Sequence, residues 1–121
     1  MISALEFPIL LVFGIVTALL AVQFLFPRWY SKTFNGFVVE SDAGAFYARQ
    51  GGLAIAIQGV FLIWAAFDVE IRTVCLALVG VGKLVFVLFI WLNIVKFRGL
   101  IVTAVIDSIA VLLFGALLLG L

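Results

Sequence analysis

Three charged side chains, Arg49, Lys83 and Asp107, stand inside long apolar runs of this sequence. A charge surrounded by hydrocarbon is costly unless it is paired or hydrogen-bonded. Such residues therefore mark either an ion or substrate pathway or a polar contact that fixes one helix against another. Gln58 and Asn93 are uncharged polar residues of the same runs, and with the three charges they make up the candidate intramembrane polar core. Arg49 and Asp107 each fall seven residues into their helices from the same side, roughly 10 Å deep at 1.5 Å per residue. Equal depth and opposite charge predict that these two form a buried pair between helices 2 and 4, the apolar runs at about 42–67 and 100–121, with helix 3 at about 71–94. Lys83 lies near the middle of helix 3, and helical side chains lean toward the helix N-terminus, which directs it away from Asp107 and toward Gln58. Asn93 is expected to join the Arg49–Asp107 layer.

The chemistry that the remaining residues exclude is as informative. The sequence has no histidine and a single cysteine, Cys75. Imidazole–metal sites, histidine-ligated haem, catalytic triads and histidine proton shuttles are thereby removed. Cys75, in an apolar run, is expected to be a small buried hydrophobe. No nucleophile–base pair is visible, so no catalytic residues, metal or cofactor are expected and the chain reads as a non-enzyme. A net charge of +1 offers no basic face for nucleic acid.

The elements that must carry these residues follow from composition. Of the 121 residues, 68% are hydrophobic and 11% charged, against about half and a quarter in soluble domains. A soluble domain of this size needs polar residues on its surface, so the solvent implied here is lipid. About 20 apolar residues cross a bilayer core, and four such stretches are present. They predict an all-α integral membrane four-helix bundle in one domain. Its helices cover about 5–26, 42–67, 71–94 and 100–121, with an interfacial loop at 27–41. Ser41 and Asp42 supply N-cap chemistry for the second helix. The turns after helices 2 and 3 are short, which makes helices 2, 3 and 4 antiparallel neighbours and puts both termini on one side. Arg28, Lys32, Lys96 and Arg98 lie in loops 1 and 3 while the opposite side holds only Arg72. The positive-inside rule then places loops 1 and 3 in the cytoplasm and the termini outside.

Helix 2 carries a seam of small residues, Ala45, Ala48, Gly52, Ala56 and Gly59, on one face. Seams of this kind let membrane helices approach closely, here against helix 1 or 4, or against another protein or a flat lipid ring system. Gly80 and Gly82, beside Lys83, predict a second close contact.

The order of features resembles small four-helix membrane proteins of the DoxX-like group, on Arg49-Gln50-Gly51-Gly52, on Gly82 through Phe86, and on Asp107. The layout is also similar to the small membrane scaffold family of sterol biosynthesis. These resemblances imply a bacterial inner (plasma) membrane protein that organises other membrane proteins. The expected function is an accessory subunit or scaffold of a larger assembly, whose partners are the lipid bilayer and a membrane protein or a second copy. A small dimeric ion-coupled transporter using Asp107 or Lys83 is the alternative. Small multidrug-resistance transporters have a similar length and helix number but carry their essential carboxylate in the first helix, where this chain has only Glu6 at the extreme start.

Overall fold

The computed structural model describes all 121 residues, and they form helices and connections with no strand. Four helical segments are long and apolar enough to cross a membrane: Ile2–Leu25, Asp42–Phe67, Val69–Leu92 and Arg98–Leu118. The first is interrupted. A 3-10 turn (Ile2–Leu5) leads into α1 (Glu6–Ala18), and α2 (Ala21–Leu25) follows a tightened turn at Leu19 and Leu20. Pro8 falls in the first turn of α1, where its missing N–H removes no helical hydrogen bond. The short helix α3 (Pro27–Tyr30) continues into a π-type turn at Ser31–Asn35, which Gly36 ends in the left-handed conformation (φ 71°). Then come α4 (Asp42–Phe67), α5 (Val69–Leu92) and α6 (Ile101–Leu118).

Local chemistry explains the boundaries. Ser41 accepts a hydrogen bond from the Gly44 amide at 2.9 Å and caps α4. Asp68 accepts from the Glu70 amide at 3.0 Å and caps α5, so a single non-helical residue separates α4 from α5. The third span therefore begins two residues before the apolar run at Ile71, because the helix starts at its cap and not at its first strongly apolar residue. Arg72 closes the opposite end of α4. Its Nε donates to the Ala65 carbonyl (2.9 Å) and its Nη2 to the Ala66 carbonyl (3.0 Å), two of the acceptors that a helix C-terminus leaves free. The same guanidinium lies 3.5 Å from Glu6 and so ties α1 to the α4–α5 corner.

Around the bundle, α1 and α2 pack on α4, α4 on α5, and α5 on α6, while α6 touches α1 and the N-terminal 3-10 turn. α4 and α6 face each other across the bundle without substantial contact. One core joins all four spans through Leu10, Leu62, Ala65, Leu76, Val79, Ala110 and Phe114. Only 22 of 121 residues are buried, and large apolar side chains such as Leu78, Val102 and Leu112 point outward. Helices apolar all round are what a lipid-immersed bundle requires. At one end the Ser3 amide donates to the Leu121 carbonyl (2.9 Å). At the other, Phe37 and Phe97 meet edge to face at 5.8 Å, and Gly99 lies against the Asn35 carbonyl.

The closest helix contact is the small-residue seam. Ala45, Gly52, Ala56 and Gly59 are buried and Ala48 is half-buried, and the two glycines lie against the first span. A Cβ added at Gly59 would collide with the backbone of Ala18, and one at Gly52 would approach the Phe24 amide to 2.8 Å and the Leu20 carbonyl to 2.9 Å. Gly14, on the facing helix, is closed in the same way by Ile63. The close approach expected beside Lys83 is not made. Gly82 has nothing within 4 Å of an added Cβ, and Gly80 meets only Phe114 at 3.8 Å. Gly59→Leu is therefore expected to lower unfolding stability in detergent by about 1–3 kcal/mol, the usual cost of overpacking. Gly82→Ala should leave stability unchanged or raise it by about 0.5–1 kcal/mol, since it removes helix-interior glycine without a clash. Equal melting shifts for the two variants would show that the seam is not the tight contact.

Candidate functional site

The deepest polar feature joins α5 to α6. Lys83 Nζ donates to Asp107 Oδ1 at 2.8 Å, with side-chain exposures of 7% and 14%. Asp107 thus pairs with Lys83 and not with Arg49. Two physical reasons account for this. Arg49 and Asp107 share a depth, but their helices α4 and α6 lie across the bundle from each other, so equal depth brings no contact. α5 and α6, by contrast, are joined by a short connection and pack along their length. The flexible lysine stem crosses the offset in depth against the general N-terminal lean of helical side chains.

The other predicted members of the polar core disperse. Gln58 does not bond Lys83; it lines a cavity of about 470 Å³ between α4 and α5 with Phe61, Trp64, Val74 and Cys75. Asn93 donates from Nδ2 to the Phe89 carbonyl of its own helix at 2.9 Å, which satisfies it locally at the end of α5. Arg49 is exposed on the outer surface of α4 and makes no ion pair or side-chain hydrogen bond within the chain. The cavity does not reach the Lys83–Asp107 pair, since neither residue lines it.

Three contacts complete the polar framework and were not assigned from sequence. Gln23 Nε2 donates to the Ala48 carbonyl at 2.8 Å, a hydrogen bond from the first span to the half-buried seam residue of α4. Its signal was present, as the only amide in an apolar run, but its partner is a backbone atom that sequence spacing does not reveal. Trp91 Nε1 donates to Ser108 Oγ at 3.1 Å, a second cross-link between the third and fourth spans beside Asp107. Tyr30, in the connection after α2, sits near enough to Asp107 to sense it. Burial first and the Asp107 carboxylate second raise its phenol above the ordinary tyrosine value. Asp107 is thus reached by a lysine from α5.

As an arrangement, Lys83 and Asp107 neutralise each other in apolar surroundings and hold α5 and α6 in one register. No group of three or more His, Cys, Asp or Glu side chains is placed to hold a metal ion. Comparison with protein-family models, curated proteins and solved structures finds no match to this chain.

A double-mutant cycle tests the pair. Asp107→Asn or Lys83→Met alone is expected to cost about 3–5 kcal/mol, because each leaves an uncompensated buried group, while the combined variant should recover a substantial part. Arg49→Gln combined with Asp107→Asn should instead be additive within about 0.5 kcal/mol. Unfolding of the three single and two double variants beside wild type in one detergent measures both couplings. Coupling of Asp107 to Arg49 in place of Lys83 would reverse the assignment.

Proposed function

We propose that this chain is a small non-enzymatic accessory subunit or scaffold that binds laterally to another membrane protein or to a second copy of itself. The observation that carries the reading is the division of the spans into a closed polar interior and an open apolar exterior. Lys83 with Asp107 is buried, Glu6 with Arg72 and Gln23 with Ala48 are half-buried, and Trp91 with Ser108 pairs at the surface between α5 and α6, so these polar groups are satisfied within the chain. Outside, large side chains such as Phe61, Trp64, Leu78 and Phe89 stand free for lateral contact. A transporter that works through Asp107 needs that carboxylate accessible to its ion. Here the carboxylate is engaged at 2.8 Å, away from the cavity. The resemblance to the DoxX-like group and to the sterol-biosynthesis scaffold family points in the same direction, toward a bacterial inner membrane protein that organises others.

In the arrangement we infer, consecutive spans run antiparallel, with both termini on one side of the membrane. The Ser3–Leu121 hydrogen bond supports this at one end, and the Phe37–Phe97 contact supports it at the other. The charge balance assigns the end bearing Arg28, Lys32, Lys96 and Arg98 to the cytoplasm.

Extraction in a mild detergent followed by native mass measurement is expected to give a particle containing a second protein or a second copy of the 13.2 kDa chain. A lone monomer at every detergent concentration would reject the accessory role. Sidedness is tested by thiol labelling of a Lys96→Cys variant in a Cys75→Ala background. Gly99 is unsuitable for the probe because a side chain there meets Asn35. An impermeant reagent should label Lys96→Cys only after the membrane is opened, and labelling of intact cells would invert the topology.

A further inference from the structure

We propose that Arg49 is the coordination site for the phosphate of an anionic membrane lipid, in the leaflet at the Ser41 end of α4. Deep within the spans Lys83 bonds Asp107, and nearer the span ends Glu6 lies 3.5 Å from Arg72. Asp42, at the start of α4, is paired with Arg28 at 3.0 Å. More than one helical turn inside a span, Arg49 alone is an exposed charge with no acid or carbonyl of the chain to receive it.

Hydrocarbon cannot solvate a guanidinium, so its partner must come from outside the chain. Arg49 lies about 10 Å along α4 from the helix start. Its side chain leans toward that start and is long enough to extend its charged head to the headgroup layer. Phe46 and Tyr47 are exposed beside it and stack edge to face, as aromatic residues at a membrane interface do. The planar fork of an arginine matches two phosphate oxygens at once. Gln50, also exposed, adds an amide donor next to it. The same end of the molecule carries Lys32, Lys96 and Arg98, none with an acidic partner in the chain, against Glu40 as its free acid. That balance selects an anionic lipid over a zwitterionic one. The inference stands on membrane insertion alone and is independent of the accessory role.

The test is lipid retention by the purified chain, relipidated with phosphatidylglycerol or phosphatidylcholine and followed by native mass spectrometry. Wild type should retain phosphatidylglycerol about tenfold better than phosphatidylcholine, and Arg49→Gln should lose most of that preference. Arg49→Lys should keep part of it, because charge remains while the bidentate fork is lost. Lys96→Gln removes a like charge from the same end and should remain near wild type. Equal retention of the two lipids by wild type, or an unchanged preference in Arg49→Gln, would overturn the assignment. So would stabilisation of the delipidated protein by inorganic phosphate alone, or a cross-link from position 49 to an acidic residue of a co-purifying protein. Arg49 makes no side-chain bond within the chain, so the glutamine variant is expected to melt with wild type. Should it fail to fold, Arg49→Lys decides, and a preference equal to that of wild type in this variant would overturn the assignment.

Discussion

Hydrocarbon supplies no hydrogen bonds and no counter-ions, and the organisation of this protein follows from that constraint. Each polar group carried into a span must find its partner within the bundle or reach the headgroup layer. Lys83 and Asp107 solve the problem pairwise at the deepest point, with side chains only 7% and 14% exposed. Gln23 solves it by borrowing the Ala48 carbonyl, and Asn93 by turning back on its own helix. Because the alternative is an unsatisfied group in lipid, these contacts specify which helix lies beside which as much as they add stability.

The same solvent removes the ordinary hydrophobic drive between helices, so packing must come from close approach. The structure concentrates that approach on one pair. α4 lays Gly52 and Gly59 on the backbone of the first span, while Gly14 answers from the other side against Ile63. α5 and α6 use a different device: they meet through the ion pair, the Trp91–Ser108 hydrogen bond and the bulk of Phe114. The bundle is thus two differently bonded helix pairs, joined where Arg72 caps the end of α4 and reaches Glu6.

The connection at 27–41 belongs to this scheme and is more than a tether. Its π-type turn and left-handed Gly36 bring Asn35 against Gly99, and Phe37 against Phe97, so the first and third connections close one end together. Tyr30, in the same connection, stacks on Phe34, and burial first and the Asp107 carboxylate second raise its phenol above the ordinary tyrosine value.

Composition and run length alone establish the all-helical class and the four spans, because a chain that is 68% hydrophobic leaves lipid as its solvent. Local chemistry was equally legible: Ser41 announces the start of α4, and the small-residue period of Ala45 to Gly59 announces a contact face. Only the tertiary structure decided partners. Depth along a helix can be counted from sequence, and by depth Arg49 matched Asp107. The short turns made hairpin neighbours legible, but whether α4 also meets α6, and each helix's rotation about its axis, are not encoded by residue spacing. α4 and α6 lie across from each other, so Asp107 pairs with the lysine on its hairpin neighbour and Arg49 is left exposed on the outer surface of α4.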